Sequence, residues 1–202
     1  MRAMSPSGSE APRTRLKLSQ RLGQSLLAAA GWTAVFEPLP GPKGIVVVYP
    51  HTSNWDFIVG VLYKFAVGLP AHWVGKDTLF RWPLGPVFRR IGGIPVNRSK
   101  SSGFVRSLLE EFRQRDHMWV ALAPEGTRSH SDHWKSGFYR IAVAAGLPVG
   151  LGYIDYGTRT LGIDTYVTLS GDQGADMQRL QDFYADKRGR VPGNAGEIRL
   201  RP

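Results

Sequence analysis

A histidine and an aspartate lie close together in the stretch His51-Thr-Ser-Asn-Trp-Asp56. This pair of side chains suits proton transfer, because a carboxylate can hold one imidazole nitrogen and leave the other to accept a proton. The same spacing also fits an aspartate that caps a helix and a histidine with a purely structural role. We therefore take His51 and Asp56 as candidate catalytic residues and look to the flanking elements for support.

The residues on either side place this stretch at the end of a strand. The β-branched run 45–49 is bounded by glycines before it and by Pro50 after it, which predicts a buried strand. A helix is predicted next, with Ser53 or Asn54 as its N-cap. Its apolar residues recur near the helical period: Trp55, Val59, Leu62, Tyr63 and Ala66. Since open α/β sheets place their sites at strand ends, this position favours a functional role for His51.

Polar groups follow two further predicted strands. In Gly92-Gly-Ile-Pro-Val-Asn-Arg98, the short extended run 94–96 leads to Arg98, whose planar guanidinium can donate two hydrogen bonds to a phosphate. The strand 118–122 runs into the turn 123–129. In that turn Gly126 permits a tight bend, and an acceptor, a hydroxyl and a cation surround it: Glu125, Thr127 and Arg128. Such a turn can hold a phosphorylated polyol, and it can also be a polar turn without a ligand.

Length, composition and charge limit the class of protein. A chain of 202 residues with 42% hydrophobic residues is enough for one α/β domain with a substantial core. The formal charge of +10 indicates an anionic partner, for which nucleic acid, anionic lipid headgroups and phosphorylated small molecules all qualify. The absence of cysteine excludes disulfides and a cysteine nucleophile. His130 and His133 have no matching third ligand in the sequence, so we predict no metal site.

The order of the patterns predicts an α/β fold: a single domain with a central, mostly parallel or mixed sheet flanked by helices, preceded by a basic amphipathic N-terminal helix. We expect a disordered N-terminus over residues 1–12, the basic helix over 13–32, the main domain over 33–188 and a mobile tail over 189–202. The basic helix has a leucine stripe, which fits either the interface of a membrane or ordinary packing with a solvated face.

The segment from Lys76 to Arg90 mixes large apolar residues with cations, and its prolines prevent one regular helix. This composition suits a surface that meets lipid, and it also suits ordinary loop packing. No run of about 18 apolar residues is present, and no secretory signal is recognisable. We therefore expect a protein that is peripheral to the cytoplasmic face of a membrane.

Three stretches stand together in order: His51-x4-Asp56, Gly93-Ile-Pro-Val-Asn-Arg98 and Pro124-Glu-Gly-Thr-Arg128. This set resembles the glycerophospholipid acyltransferase family, typified by lysophosphatidic acid acyltransferases. A fourth block of the family is similar to Leu147-Pro148-Val149, so that the resemblance covers residues 45–153.

The resemblance implies an enzyme that moves a fatty acyl group from acyl-CoA or acyl carrier protein to a lysophospholipid hydroxyl, with 1-acylglycerol 3-phosphate as the expected acceptor. His51 is then the general base and Asp56 the group that orients it. The acceptor's phosphate is expected to bind Arg98, with help from the turn residues Glu125, Gly126, Thr127 and Arg128. Lys76 either attracts a phosphate or CoA or is simply a solvated lysine. No cofactor is expected beyond the thioester co-substrate, and the expected partner is an anionic membrane surface rather than nucleic acid.

Two alternatives remain open from the sequence. The acceptor can be another lyso-lipid or a glycolipid, since Arg98 and Arg128 could bind the phosphates of CoA instead of an acceptor phosphate. The chain can also be a non-catalytic basic domain that binds anionic lipid or nucleic acid, which explains the charge but not the histidine–aspartate pair at a strand end.

Overall fold

A computed structural model describes residues 16–96 and 101–201. The predicted disordered segment 1–12 and the candidate phosphate ligand Arg98 lie outside the described residues. The strands are β1 (Thr33–Phe36), β2 (Lys43–Tyr49), β3 (Ala71–Lys76), β4 (Gly93–Val96), β5 (Met118–Leu122), β6 (Pro148–Asp155) and β7 (Thr160–Thr168). The helices are α1 (Leu18–Ala29), α2 (Trp55–Val67), α3 (Gly85–Arg90), α4 (Ser101–Gln114), α5 (Gly137–Ala145) and α6 (Gln173–Tyr184).

These seven strands form one sheet in the order β1-β7-β6-β2-β5-β3-β4. Neighbouring strands are parallel except for β6 and β7, which are antiparallel. Strand β2 lies at the centre and is buried over most of its length, as expected for a β-branched run covered on both faces. The predicted α/β fold with a mostly parallel sheet and flanking helices is confirmed.

Helices cover both faces of the sheet. On one face α4, α5 and α6 bury a large cluster that includes Ile45 and Val47 of the central strand. On the other face α1 and α2 pack over a second cluster that includes Val46. Helix α1 approaches α2 closely at Gly23, where a Cβ atom would lie 2.7 Å from the backbone nitrogen of Ala66. The side chains of β2 thus alternate between the two cores. This packing on both faces fixes the position of the strand and of the residues that follow it.

Local structure follows the sequence patterns with two differences. Helix α5 ends at Ala145, and its C-cap Gly146 has the left-handed conformation typical of that position (φ 59°). The segment 76–90 forms a short 3₁₀ turn (Asp77–Phe80) and then α3, as its prolines predict. Strand β1, however, was not expected, because its four residues are only partly buried and give too short a pattern. Helix α1 is also shorter than the predicted 13–32, of which 13–15 lie outside the described residues.

Residues 190–201, within the segment 189–202 for which a mobile tail was predicted, contact the domain. Leu200 is buried and forms an isolated parallel bridge with Trp134. The backbone nitrogen of Gly196 donates to Glu125, and its carbonyl oxygen accepts from the hydroxyl of Tyr49. These contacts could not be predicted from the sequence because each joins residues that are far apart along the chain. Across the described ranges, no helix is long and apolar enough to cross a membrane.

Candidate active site

The carboxyl ends of three neighbouring strands bring the candidate residues to one edge of the sheet. Strand β2 ends just before His51, β5 ends just before the turn 123–129, and β6 ends just before Tyr156. Because β6, β2 and β5 are adjacent and parallel, the residues that follow them lie side by side. This edge therefore contains the predicted base and the polar turn together.

The predicted pair is in contact at this edge. Nδ1 of His51 lies 3.3 Å from Oδ2 of Asp56. The aspartate side chain is almost completely buried, whereas 19% of the histidine side chain is exposed. If Nδ1 carries the proton shared with the carboxylate, Nε2 is the nitrogen that can accept a proton from a substrate.

Asp56 is held in place by four protein groups. Besides His51, its Oδ2 accepts hydrogen bonds from the backbone nitrogens of Thr52 and Ser53, both at 2.8 Å. Its Oδ1 accepts from the hydroxyl of Tyr156 at 2.9 Å. Burial opposes ionisation of Asp56, but the hydrogen bonds from His51 and Ser53 outweigh it, so that the pKa of Asp56 lies below its usual value. Asp56 is therefore an oriented carboxylate and not a solvated helix cap.

The start of α2 differs from the prediction that Ser53 or Asn54 caps the helix. Asn54 is the N-cap of α2, but its side chain makes no cap hydrogen bond. The side chain of Asp56 instead reaches back to the two backbone nitrogens before it. One carboxylate thus orders the turn and faces the imidazole at the same time.

Glu125 links the turn after β5 to the turn after β2. Its Oε2 accepts from the backbone nitrogen of His51 at 2.8 Å, and its Oε1 accepts from the backbone nitrogen of Gly196 at 2.9 Å. Its exposed fraction is 1%. Burial raises the pKa of Glu125 to about 7, partly offset by these two hydrogen bonds. Both carboxylate oxygens therefore contact the protein backbone, although the sequence suggested that this residue contacts the acceptor.

The remaining turn residues are arranged differently. Gly126 has a left-handed backbone (φ 67°), where a Cβ atom would be strained and would lie 3.2 Å from Cγ of Lys135. The hydroxyl of Thr127 accepts from the backbone nitrogen of Ser129 at 3.2 Å. Nε of Arg128 is buried and has no hydrogen-bond partner among the described residues. A buried guanidinium nitrogen of this kind is suited to an anionic ligand.

Lys76 is exposed at the end of β3, beside β5, and so lies at the same edge of the sheet. Arg98 follows β4 in the sequence and lies outside the described residues. No set of three or more histidine or acidic side chains in the described part of the chain is placed to hold a metal ion.

Residues that the sequence did not reveal complete the surroundings of the pair. Tyr156 donates to Asp56, and the guanidinium carbon of Arg190 lies 5.9 Å from the centre of the Tyr156 ring and 5.3 Å from that of Trp55. The hydroxyl oxygen of Thr52 accepts from the backbone nitrogen of Val191 at 3.2 Å. Burial and the hydrogen bond to Asp56 raise the pKa of Tyr156, so that its hydroxyl stays a donor. The contact between Tyr156 and Asp56 could have been predicted only with knowledge of the strand order, because Tyr156 follows β6 and β6 must lie beside β2 for the two side chains to meet.

This geometry suits the removal of a proton from a substrate hydroxyl by an oriented imidazole, next to a turn with a cation available for an anionic group.

Comparisons with known proteins agree with this fold. The acyltransferase family model matches residues 35–150, more than half of the chain. The crystal structure of the 1-acyl-sn-glycerophosphate (LPA) acyltransferase PlsC from Thermotoga maritima is similar, with a TM-score of 0.56 and 19% sequence identity, covering 83% of this chain and 76% of that chain. At this identity the likeness establishes a shared fold. No curated protein matches the chain. The chain belongs to the acyltransferase family, and its resemblance to the glycerophospholipid acyltransferases is confirmed.

Proposed function

We propose that this acyltransferase moves a fatty acyl group from acyl-CoA or acyl carrier protein to the free hydroxyl of a lysophospholipid, with 1-acylglycerol 3-phosphate as the preferred acceptor. The contact between Nδ1 of His51 and Oδ2 of Asp56 is the observation on which this proposal rests. It supports a general base because the carboxylate is fixed by three further hydrogen bonds while the imidazole is partly exposed.

In the proposed reaction Nε2 of His51 accepts the proton of the acceptor hydroxyl while the hydroxyl oxygen attacks the thioester carbonyl. The carbon–oxygen bond forms, the carbon–sulfur bond breaks, and the proton on His51 passes to the leaving thiolate. Asp56 stabilises the imidazolium that exists between these two proton transfers. The products are the ester and a free thiol, so no cofactor is needed beyond the thioester donor.

The acceptor's phosphate is proposed to lie along the row of cations at the carboxyl edge. Arg128 supports this through its buried Nε, for which the described residues provide no acceptor. Lys76, at the end of β3, supplies further positive charge at this edge. Arg98, which follows β4 in the sequence, is proposed to bind the phosphate as well. The positive φ of Gly126 gives the turn that carries Arg128 a tight bend.

Glu125 is proposed to position His51 rather than to contact the substrate. Its two oxygens are occupied by backbone nitrogens of His51 and Gly196, and the side chain is buried. A carboxylate in this position fixes the backbone from which the imidazole projects.

The reaction is proposed to take place at the cytoplasmic face of an anionic membrane, to which the protein binds peripherally. The charge of +10 supports an anionic surface as the partner.

The proposal is tested by measuring thiol release from palmitoyl-CoA in the presence of 1-acylglycerol 3-phosphate, with the product identified by mass spectrometry. His51→Ala is expected to lower the rate by about 10³-fold, within the range for loss of a general base. His117→Ala is the matched control, because His117 is exposed at the opposite end of the sheet, just before β5. Full activity of the His51 variant would contradict the mechanism.

The same assay separates the acceptors and the donors. Turnover with 1-acylglycerol 3-phosphate that exceeds turnover with a lyso-ornithine lipid or a glycolipid supports a phosphate acceptor, and the reverse order contradicts it. Replacing palmitoyl-CoA by palmitoyl-acyl carrier protein identifies the donor.

A further inference from the structure

The 3₁₀ turn and helix α3 expose a row of large apolar side chains. Trp82 is 88% exposed, Leu84 56%, Val87 53% and Leu79 40%. We call these four residues the α3 ridge. A tryptophan exposed to this degree next to three exposed aliphatic residues is unusual on a protein that is surrounded by water alone.

The α3 ridge is supported from below by an ordered aromatic cluster. Phe80 is buried and stacks on Trp73 of β3, with ring centres 5.5 Å apart. Phe88 packs edge-on against Trp73 at 5.8 Å and against Phe57 of α2 at 5.6 Å. A side-chain nitrogen of Arg89 donates to the backbone oxygen of Phe80 at 3.1 Å. Phe80 and Phe88 thus anchor the segment 76–90 against β3 and α2. The four ridge residues are the ones that face outward.

The α3 ridge begins at the edge of the sheet that carries the candidate active site. Strand β3 ends at Lys76, and only β5 separates it from β2, whose end carries His51. Phe57, in the first turns of α2, contacts the aromatic cluster directly. On the same helix Trp55 and Ile58 are also exposed, at 51% and 48%. Exposed apolar surface therefore borders the start of α2, where Asp56 lies.

Cations flank the α3 ridge. Lys76, Arg81, Arg89 and Arg90 are exposed, and Asp77 is the one acidic residue of the segment 76–90, so that the segment carries a net charge of +3 (four cations minus one anion). Apolar side chains that are framed by positive charge match the interface of an anionic bilayer, where arginine and lysine reach the headgroups and tryptophan sits at the boundary with the acyl chains.

We propose that the α3 ridge inserts into the interface of an anionic lipid bilayer and holds the carboxyl edge of the sheet against it. The inference deepens the proposed function, on which it rests for the reason to be at a membrane, by naming the surface that touches lipid. A bilayer fits better than a protein partner because the ridge projects outward as a tryptophan and three aliphatic side chains among cations, with the membrane-interface preference of tryptophan at its most exposed point. An acceptor lipid could then reach His51 without leaving the bilayer completely.

Binding is measured by sedimentation with vesicles of equal parts phosphatidylglycerol and phosphatidylcholine, and separately with vesicles of phosphatidylcholine alone. The double variant Trp82→Ser, Leu84→Ser is expected to weaken binding to the anionic vesicles by about tenfold or more, because each side chain loses apolar burial. All substitutions are at exposed positions, and thermal unfolding checks that the fold is intact. The wild-type protein is expected to bind phosphatidylcholine alone much more weakly.

Matched variants on the other face of the sheet control for composition. Val87→Ser is expected to weaken binding, whereas Val143→Ser, on α5, is expected to leave it unchanged although Val143 is 39% exposed. The double variant Arg81→Gln, Arg90→Gln is expected to reduce the preference for anionic vesicles, whereas Arg179→Gln, at an exposed position of α6, is not. Equal effects of the members of either pair would overturn the proposal.

Two further measurements identify the residue that enters the lipid. Brominated lipids are expected to quench the tryptophan fluorescence of the wild-type protein, and Trp82→Phe is expected to remove most of that quenching. If Leu18→Ser, Leu22→Ser in α1 abolishes binding while the ridge variants bind like the wild type, α1 is the contact and the proposal is wrong. Tighter, ridge-dependent binding to acyl carrier protein than to vesicles would also overturn it. Sedimentation requires no turnover, so an inactive protein that binds through the ridge would refute the proposed function and leave this inference standing.

Discussion

Two parts of the carboxyl edge differ in how their polar groups are satisfied. Around His51, both oxygens of Asp56 and both oxygens of Glu125 accept hydrogen bonds from the protein. Around Arg128, a buried guanidinium nitrogen has no acceptor among the described residues. The first part is organised by the chain itself, which suits a group that must keep one orientation. The second part keeps a positive charge available, which suits a group that recognises an anion.

The sharpest test of this difference compares two buried aspartates. Asp56→Asn is expected to lower kcat by about 10²- to 10³-fold with little change in KM, because the amide loses the charge that stabilises the imidazolium and fixes its tautomer. The loss is measured by thiol release at saturating substrate.

Asp176 provides the matched control. Like Asp56 it is 2% exposed, and it accepts hydrogen bonds from a tyrosine hydroxyl (Tyr139) and from two backbone nitrogens (Ser170 and Gly171). Asp176→Asn is expected to lower stability but not the kcat of the folded protein. A comparable loss of kcat in both variants would show that Asp56 acts only through the fold.

On the cation side the expected change is in acceptor binding. Arg128→Ala is expected to raise KM for 1-acylglycerol 3-phosphate by about 10- to 100-fold, the value of one charge-assisted hydrogen bond, with a smaller effect on kcat. Arg140→Ala, at an exposed position of α5, serves as the control. Loss of kcat at unchanged KM would place Arg128 in the chemical step and remove the contrast between the two parts.

The tyrosine that supports Asp56 is expected to have a smaller effect. Tyr156→Phe removes one of the hydrogen bonds to the Asp56 carboxylate and leaves the contacts with Thr52, Ser53 and His51, so it is expected to lower kcat by about three- to tenfold at unchanged KM. Tyr139→Phe removes the equivalent bond to Asp176 and is expected to leave kcat unchanged. If Tyr156→Phe raised KM instead, the hydroxyl would belong with the substrate-binding groups.

The smallest expected effect concerns pH. Glu125 has a pKa of about 7 in the folded protein, above its ordinary value of 4.5. Its raised pKa contributes stability that is fully present below 4.5 and is lost as the pH rises through about 7. The free energy of unfolding is therefore expected to fall between about pH 5 and pH 8, and Glu125→Gln is expected to flatten this slope. Urea unfolding at about pH 5 and about pH 8 measures this change in the free energy of unfolding. An equal change in the wild-type protein and in the Glu125→Gln variant would contradict the assignment of the raised pKa to Glu125.

The sequence predicted the parts of the site that are local in the chain. His51 and Asp56 lie within one strand-to-helix turn, so their approach follows from a buried strand before them and a helix after them. The turn with Gly126 was equally visible, since it directly follows a predicted strand. Tyr156 and Gly196 could not be predicted, because their places depend on the strand order and on how residues 190–201 return to the domain. Glu125 was recognised as important, but its contact with two backbone nitrogens depends on those same long-range features.

The hydrogen bonds from Gly196 to Glu125 and from Val191 to Thr52 also have a consequence for biosynthesis. Val191 and Gly196 follow His51 by about 140 residues, so the groups that brace the surroundings of the histidine are translated long after the histidine itself. A ribosome-bound chain that has not yet released Val191 and Gly196 carries the turn from His51 to Asp56 without these supports. Activity is therefore expected only after both residues have left the ribosome, and ribosome-stalled chains of increasing length offer a way to observe when it arises.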